Sequence, residues 1–420
     1  MILLRWVLAG LLLVTTLAVS RLYSKEVDQS VEREEAYRNI ATFTRVLEQI
    51  RAHYVDKDKV TYDLLIEGAI RGMMESLDEF SQYMDQEQYE EMQDDTKGQF
   101  GGLGIVISVK DNALTIVSPM EDTPGFRAGL LSDDRIMAID GVSCEGISLS
   151  EAVKLLRGEP GTKVSLKVMR PKTQEVREYE LERAEIKVAS VKDTELMEGG
   201  IGYIRVTQFN EPTAAALQEA LEKLQGQGMQ ALILDLRNNP GGLLRSAIDV
   251  SQKFLPSRQV VVSTQGRKEI DQQLFRAGGK TRLLDVPMAV LVNGGSASAS
   301  EIVAGALQDH KRAVLIGEKT FGKGSVQSIL PLDEGTALRL TTAKYYTPSN
   351  RMIHQQGIEP DILVPMSPDT WRSLMMQRAR RENPQAYADE ADEPVLQDVQ
   401  LDRAVSVLKG ILTFQARSER

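Results

Sequence analysis

The chain has 420 residues, a hydrophobic content of 42% and a formal net charge of −10 at pH 7. This length suggests two or three domains, and the acidic balance argues against nucleic acid as the main partner, because contacts to phosphates need clustered Lys and Arg. One cysteine, Cys144, excludes an intramolecular disulfide framework and a Cys-rich zinc site, and the three histidines form no metal-binding signature, so neither a metal nor another cofactor is expected.

Residues 1–20 have the features of a targeting segment. Arg5 precedes an apolar run from Trp6 to Val19, followed by a small-x-small end over 18–20, which predicts a secretory signal peptide. The run is shorter than the about 20 residues of a spanning helix, but counting from Ile2 lengthens it, so an uncleaved anchor stays open. Either way the chain is expected to work outside the cytoplasm, in the periplasm or at the outer face of the cytoplasmic membrane. It would meet the membrane only through this segment.

Residues 30–97 are predicted to be helical. From Val31 to Tyr54, apolar residues recur mostly at steps of three and four, which gives one apolar stripe, and a second helix is predicted over Tyr62–Leu77. Two amphipathic helices cannot bury their stripes alone. We therefore expect this region to pack on another domain or on a second subunit.

Residues 98–184 change to short strands and turns, with one helical stretch over Leu149–Leu156, which predicts a small α+β unit. The unit starts with the Gly-rich run Gly101-Gly102-Leu103-Gly104-Ile105 before an edge strand. Such a turn can present N–H groups to the terminal carboxylate of a peptide, which then pairs with the strand, while the helix at 148–157 forms the other wall. A simple hairpin turn is the alternative.

Residues 185–365 alternate between strands and helices, which predicts βαβ units and a largely parallel sheet. The strands next to the candidate functional residues discussed below are predicted over Ile201–Val206, Ala231–Leu236, Met288–Val292 and Val314–Ile316. Residues 366–420 form a C-terminal segment that is polar and charged up to 395 and ends in an amphipathic helix at about 398–413.

Ser298 lies in the most informative stretch, Asn293–Ile302, which follows an apolar strand and opens a helix. In an open α/β sheet, ligands bind at the carboxyl ends of the strands. A serine at this junction is exposed, and the N–H groups of the first helical turn can stabilise an oxyanion there. Ser298 also matches a capping box with Glu301, in which the serine only caps the helix. Taken alone, the pattern fits a cap better than a nucleophile.

Lys323 follows the next predicted strand and is flanked by Gly322 and Gly324. If the two strands are parallel, both loops emerge at the same edge of the sheet, and Lys323 can meet Ser298. A neutral lysine can take the proton of the serine, which requires lowering a pKa that is about 10.4 in free lysine. Gln327 is placed to hydrogen-bond the amine and fix its direction.

The alternatives to this Ser/Lys pair are a surface lysine, a phosphate-binding loop and a histidine base. The loop lacks the GxxxxGK[ST] spacing of a P-loop. His310 lies at the far end of the helix that Ser298 begins, roughly 18 Å away at 1.5 Å per residue, so pairing between the two is implausible.

An oxyanion site needs a second donor. Leu234–Gly242 is predicted to be a buried strand that ends in a tight Gly-rich turn. The backbone N–H of Gly241 or Gly242, together with that of Ala299, would form the pair. An ordinary turn from strand to helix is the alternative.

Together these motifs resemble those of the carboxyl-terminal processing proteases, the S41 serine peptidases. The similarity covers about residues 35–365. It rests on the segments Gly72–Asp78, Gly101–Ile105, Pro124–Leu130, Leu234–Gly242, Ser296–Glu301, Phe321–Gln327 and Gly357–Asp361.

The resemblance implies a serine endopeptidase with Ser298 as nucleophile, Lys323 as base and Gln327 as its orienting partner. It implies an α/β core of the ClpP/crotonase type at 185–365, with an inserted α+β PDZ domain and helical N- and C-terminal segments. Members of the family cut near substrate C-termini, and their PDZ domain gates the active site. Arg157 resembles the PDZ residue that contacts the catalytic Gln in an active arrangement, which implies a regulatory role.

The implied partners are protein substrates with accessible C-termini. The terminal helices resemble segments through which such proteases dimerise or assemble into rings, so a homo-oligomer is expected, and the need for an adaptor protein stays open. A non-catalytic scaffold that captures C-termini would not need Ser298, Lys323 and Gln327 together. A crotonase-like acyl-transfer enzyme would have no reason for the PDZ insertion.

Overall fold

The computed structural model describes residues 33–420 apart from 111–112, 121–122, 132, 172, 279–285, 383–395 and 419–420. The chain forms two compact units, one ending at Tyr83 and one beginning at Met84. The predicted signal or anchor segment at 1–20 lies outside the described residues. Within the described part of the chain, no helix is both long and apolar enough to cross a membrane.

The first unit is helical, as the sequence predicts. It contains α1 at 33–53 and α2 at Tyr62–Glu75, whose first turn is capped by the Thr61 hydroxyl. The apolar stripe of α1 stays on the surface of the single chain, since Tyr37 is 71% exposed and Ile40 is 60% exposed. Strand β1, Gln82–Met84, follows in sequence.

The second unit begins with α3, Gln86–Lys97, which leads into an inserted subdomain. A capping box between Asp85 and Gln88 opens α3, and Gly98 ends it with the left-handed backbone (φ 68°) that favours glycine. The subdomain consists of β2 (Gln99–Gly102), β3 (Ile105–Lys110), β4 (Ala113–Pro119), α4 (Pro124–Arg127), β5 (Arg135–Ile139), β6 (Val142–Ser143), α5 (Leu149–Leu156), β7 (Lys163–Arg170), β8 (Glu175–Glu182) and β9 (Ala184–Lys187).

Strand β3 lies at one edge of the main sheet of the subdomain, whose order is β3-β4-β5-β7-β8, with β6 paired to β5. Neighbouring strands are antiparallel, and alternate residues of β7 are buried, as expected for a sheet with one face in solvent. Helix α5 packs over β3 and β5 above a core that includes Ile116 and Leu166. The entry strand β2 and the exit strand β9 pair separately as a two-stranded ribbon.

The rest of the second unit is an α/β core followed by two C-terminal helices. Its elements are β10 (Val191–Met197), β11 (Ile201–Val206), α6 (Thr213–Gly226), β12 (Ala231–Asp235), α7 (Leu244–Ser251), β13 (Val260–Gly266), β14 (Gln273–Arg276), β15 (Met288–Val292), α8 (Ala299–Asp309), β16 (Val314–Gly317), β17 (Ser325–Pro331), β18 (Ala337–Tyr346), β19 (Ile362–Leu363), α9 (Pro368–Glu382) and α10 (Val399–Ser418).

The main sheet of the core has the order β10-β11-β12-β15-β16-β19. Its strands are parallel except β10, which runs antiparallel to β11. Every residue of β12 and β15 is buried, because α6, α7 and α8 cover one face of the sheet and α10 covers the other through Ala404 and Leu408. Continuous apolar runs such as these are typical of central parallel strands. A smaller antiparallel sheet has the order β17-β18-β13-β14.

One helix was not delimited by the sequence, and one predicted element differs. The polar stretch 366–395 contains a helix, α9, whose Leu374 is buried. The strand–helix alternation predicted for 185–365 is wrong after Val314–Gly317, because the chain continues past Lys323 into strand β17 of the smaller sheet and not into a helix. The run Ser325–Pro331 is too short to identify a strand from its sequence alone, and its pairing with β18 determines its structure.

Candidate active site

The loops after β15 and β16 carry Ser298 and Lys323. The two strands are parallel neighbours, with Val292 paired to Gly317 at their carboxyl ends. Both loops therefore begin at the same edge of the sheet, as the sequence predicts, and this edge is where open α/β sheets bind ligands.

Ser298 precedes the first residue of α8 and has a strained backbone. Its φ of 53° and ψ of −111° lie in a region that residues other than glycine rarely adopt, which costs about 1–3 kcal/mol. Its side chain is half-buried. A strained serine on a turn from strand to helix is the arrangement that presents the nucleophile in α/β-hydrolases.

The neighbouring serines have structural partners. The hydroxyl of Ser296 donates to the carbonyl oxygen of Leu236 at 2.8 Å, and that of Ser300 donates to the carbonyl oxygen of Asn239 at 2.8 Å. Both residues are fully buried. Of these three serines, Ser298 is the one that a substrate can reach.

Glu301 joins the two loops. One carboxylate oxygen accepts the backbone N–H of Ser298 at 2.8 Å and that of Lys323 at 2.9 Å. The other oxygen accepts the N–H of Gly322 at 2.7 Å and the hydroxyl of Thr320 at 2.6 Å. Burial raises the pKa of Glu301, while the four donors oppose the rise because they favour the ionised form. The sequence predicted the bond from Glu301 back to Ser298 but not the bonds to the second loop.

The Lys323 loop depends on its two glycines. A Cβ on Gly324 would lie 2.1 Å from the backbone nitrogen of His354, and the carbonyl oxygen of Gly324 accepts the N–H of Tyr345 at 2.7 Å. Gly322 has a φ of 92°, which favours glycine. Lys323 itself is half-buried. The glycines therefore allow the loop to pass close to its neighbours.

Gln327 lies in β17 rather than in a loop, close to Thr341 of β18. Its amide nitrogen donates to the hydroxyl of Ser325 at 2.9 Å and to that of Thr341 at 3.4 Å. Among the described residues no hydrogen bond joins Gln327 to Lys323, so the predicted orienting bond is not formed in this structure. Its catalytic role stays a prediction.

Arg157 follows the last residue of α5, and its side chain contacts neighbours other than Gln327. Its guanidinium lies 4.7 Å from the ring centroid of Phe100 and 4.0 Å from the carboxylate of Glu91. These three residues line a cavity of about 530 Å³ between α3 and the subdomain. No hydrogen bond connects Arg157 to Gln327 in the described chain, and the regulatory role of Arg157 stays a prediction.

The glycine turn after β12 lies next to the start of α8. Gly241 and Gly242 have φ values of 107° and 139°, and a Cβ on Gly241 would lie 3.0 Å from the backbone nitrogen of Ala299. The N–H of Gly241 donates to the side-chain oxygen of Asn239 at 2.9 Å, so it is not available as an oxyanion donor here. Within the described chain, no hydrogen bond occupies the N–H of Gly242 or of Ala299. Of the two glycines, Gly242 therefore keeps a donor.

Asn239 organises this corner, and sequence analysis missed it. The residue is fully buried, and its side-chain nitrogen donates to the carbonyl oxygen of Val206 at 2.8 Å. Its own carbonyl oxygen accepts the N–H of Ala297 at 3.0 Å as well as the Ser300 hydroxyl. The available signal was a short polar side chain just after a buried strand, in a turn that must satisfy its own backbone groups.

The Gly-rich run of the subdomain divides between two structures. Gly101 and Gly102 belong to β2 and pair with β9, which places them in the ribbon rather than in the turn. Leu103 packs into the subdomain core, Gly104 has a φ of 67°, and Ile105 begins the edge strand β3. The edge of β3 beside α5 has the arrangement that the sequence predicts for a peptide groove.

The other candidate groups do not compete for this site. The ring nitrogen Nε2 of His310 lies 2.7 Å from the carbonyl oxygen of Val260, at the other end of α8. In the described ranges, no cluster of three or more His, Cys, Asp or Glu is arranged to hold a metal ion.

Three family models match the chain. The model of peptidase family S41 matches residues 200–364, which include Ser298, Lys323 and the glycine turn. The PDZ domain model matches residues 115–170 inside the inserted subdomain. The model of the N-terminal domain of the activating protease CtpB matches residues 10–88.

Two curated relatives and one crystal structure agree with these matches. The chain is 43% identical over 403 residues to the carboxy-terminal-processing protease of Bartonella bacilliformis, covering 91% of each chain. It is 43% identical over 302 residues to the carboxyl-terminal-processing protease of Synechocystis sp., covering 70% of each chain. A crystal structure assigned to the S41 proteases of Bacteroides fragilis shares the fold with a TM-score of 0.51 at 18% identity, covering 87% of this chain and 97% of that chain.

The predicted fold class, an α/β core with an inserted PDZ domain and helical terminal segments, is confirmed. The predicted enzyme class is confirmed as well, because the curated relatives are proteases over most of the chain. The chain belongs to the carboxy-terminal processing proteases, which are serine-type peptidases of family S41.

Proposed function

We propose that this peptidase cuts peptide bonds with Ser298 as nucleophile and Lys323 as general base. The observation that carries the proposal is that Glu301 bonds the backbones of both residues through one oxygen, next to a strained and accessible serine. The pairing of a hydroxyl with a nearby base is the general requirement for an activated serine.

In the proposed reaction, the Ser298 hydroxyl oxygen attacks the carbonyl carbon of the scissile bond, and the neutral amine of Lys323 takes the hydroxyl proton. The N–H groups of Ala299 and Gly242 stabilise the oxyanion. The protonated lysine then gives its proton to the leaving amine, which releases the C-terminal product. Water hydrolyses the acyl ester on Ser298 with the same lysine as base.

The proposed substrates are proteins with accessible C-termini. The edge strand β3 can extend its sheet by pairing with a C-terminal peptide, and α5 forms the facing wall. The match of this subdomain to the PDZ model supports the same ligand class.

A fluorophosphonate probe with mass spectrometry tests the serine and its base together. We expect one adduct, on Ser298, and none on the buried Ser296 or Ser300. Lys323→Met should slow labelling by about 10²-fold or more, because the general base is lost. Unfolded protein is the control for non-specific reaction. An adduct at another serine, or equal labelling rates for Lys323→Met and parent, would contradict the proposal.

We further propose that the PDZ domain selects substrates by their C-termini. Gly102 and Ala184 are paired at the end of the ribbon, so replacing residues 103–183 with Asn-Gly, a two-residue turn, removes the domain and keeps the ribbon. The two substrates would be one unstructured protein ending either in apolar residues or in aspartates. We expect the parent to cut the substrate with the apolar tail about tenfold faster or more. The variant without residues 103–183 should cut both substrates at the same rate. The same preference in both enzymes would exclude this selection.

Export and self-association remain proposals of the same kind. The N-terminal pattern supports export, which cell fractionation with external protease treatment checks.

The exposed stripe of α1 supports a homo-oligomer, which sedimentation velocity checks. An intracellular or a monomeric protein would contradict the respective proposal.

A further inference from the structure

The C-terminal segment reaches a buried ion-pair network at the carboxyl end of β12. Two carboxylates, Asp235 and Asp398, balance two guanidiniums, Arg237 and Arg378. The side chains of Asp235 and Arg237 are 0% exposed. Asp398 and Arg378 lie beyond residue 364, where the S41 family match ends.

Arg237 uses all of its guanidinium nitrogens in this network. Nε and Nη2 donate to Asp235 at 3.0 and 2.7 Å, while Nη1 and Nη2 donate to the two oxygens of Asp398, both at 2.9 Å. Nη1 also donates to Gln400 at 3.1 Å, and the ring of Trp371 lies 5.1 Å away. A bidentate carboxylate fixes both the position and the plane of a guanidinium.

Asp398 is held at the start of α10. Its carboxylate accepts the N–H of Leu401 at 3.1 Å, and Gln400 donates its amide to the carbonyl oxygen of Val364 at 2.8 Å. α10 itself packs on the sheet through Ala404 and Leu408. Asp398 therefore presents its carboxylate to Arg237 from a packed helix and not from a loose tail.

Arg237 stands at the beginning of the glycine turn. Its N–H donates to the Asp235 carboxylate at 2.9 Å. Two residues later, Asn239 bonds the N–H of Gly241 with its side chain and the N–H of Ala297 with its carbonyl oxygen. Asn239, two residues after Arg237, therefore holds both the glycine turn and Ala297, the residue before Ser298.

We infer that Asp398 is a positioning residue for the glycine turn at 236–243. Through its bidentate bond to Arg237, the C-terminal segment holds this turn in the arrangement in which Gly242 serves the oxyanion. Asp398 does not touch the reacting atoms. The expected effect on turnover rests on the proposed function, whereas the expected effect on the backbone of the turn does not.

Asp398→Asn keeps the shape of the side chain and removes one negative charge from the balanced network. Its amide nitrogen would face a guanidinium N–H, donor against donor, so one of the two bonds of the fork is lost. Arg237 keeps its pairing with Asp235 and its bond to Gln400, but its connection to α10 is weakened by one hydrogen bond and by the loss of the opposite charge. Asp402→Asn is the matched control, because Asp402 lies in the first turn of the same helix and is exposed.

The test compares both variants in the full chain by hydrogen exchange with mass spectrometry and by turnover of a short peptide. We expect exchange within residues 236–243 to become about tenfold faster in Asp398→Asn and to stay unchanged in Asp402→Asn. The kcat of Asp398→Asn should fall by about tenfold with KM within twofold of the parent. Gln400→Met removes one bond to Arg237 and the bond to the Val364 carbonyl oxygen but no charge, so it should shift both readouts in the same direction by less.

Unchanged exchange in the turn of folded Asp398→Asn would overturn the inference, and so would a lower Tm with unchanged kcat. If Asp398→Asn does not fold, Gln400→Met decides by the same criteria. Ser298→Ala is assayed alongside. If its turnover equals that of the parent, the proposed function fails, while the exchange of residues 236–243 still decides the role of Asp398.

Discussion

Replacing Ser298 by alanine is expected to lower kcat by about 10⁴-fold or more while the protein stays folded. The reason is that no acyl ester can form without the hydroxyl, whatever the remaining groups do. Alanine keeps the Cβ, so the backbone strain at φ 53° remains and the Tm should change little. The measurement is turnover of an unstructured protein, with the Tm recorded by calorimetry.

Ser296→Ala and Ser300→Ala are the matched controls. Each removes one buried hydroxyl that donates to a backbone carbonyl, so each should lower the free energy of unfolding by about 1–2 kcal/mol. Neither hydroxyl is accessible to substrate, and kcat should stay within about tenfold of the parent. Equal loss of kcat in all three folded variants would contradict the assignment of Ser298 as the nucleophile.

The double variant Ser298→Ala/Lys323→Met sharpens this prediction. Residues that act as one catalytic unit are strongly non-additive, so the double variant should be no slower than Ser298→Ala. A further loss in the double variant would show that Lys323 contributes to turnover independently of the serine.

The approach of the two loops could be predicted because it depends on local features of the sequence. The strands Met288–Val292 and Val314–Gly317 are short apolar runs, and such runs form central parallel strands whose ends meet at one edge. The two glycines that flank Lys323 likewise indicate close backbone packing. Ser298 and Lys323 were therefore accessible to sequence reasoning.

The ion-pair network around Arg237 could not be predicted in the same way. The partners of Arg237 include Asp398, which is 161 positions away, and a charged residue in a polar segment has the same local pattern whether it faces water or a buried guanidinium. Only the packing of α10 on the sheet decides between the two. The same limit hid α9, whose polar composition gives a weak helical pattern.

The glycine turn at 236–243 shows a finer limit. The sequence allowed either Gly241 or Gly242 as donor, because both glycines tolerate the required backbone angles. What separates them is the hydrogen bond from Gly241 to the Asn239 side chain. That bond depends on the rotamer of a buried asparagine, which spacing does not determine.

Glu301→Gln is expected to lower kcat by about 10²-fold or more, although it changes a single atom type. All four partners of the carboxylate donate to it, two on each oxygen. A glutamine amide nitrogen must replace one of these oxygens, and an amide nitrogen cannot accept. The least harmful orientation turns it towards Thr320, whose hydroxyl can accept, and leaves the N–H of Gly322 unpaired.

The same substitution should lower the free energy of unfolding by about 1–3 kcal/mol, the cost of an unsatisfied buried donor. Glu301→Ala removes all four bonds and should lose more of both quantities. Glu359→Gln is the matched control, because Glu359 makes an exposed ion pair with Lys319, and it should leave both unchanged. The measurements are urea unfolding and peptide turnover at a temperature where every variant is folded.

The two readouts separate two roles of Glu301. If the carboxylate only caps α8, Glu301→Gln loses stability but keeps kcat, because the Lys323 loop is then positioned by its neighbours Tyr345 and His354. If it aligns the two loops, kcat falls further than the loss of folded protein explains, because misplacement by about 1 Å is enough to cost 10²-fold in rate. The shared oxygen favours the second outcome, since any shift of Glu301 displaces the backbone of Ser298 and of Lys323 at the same time.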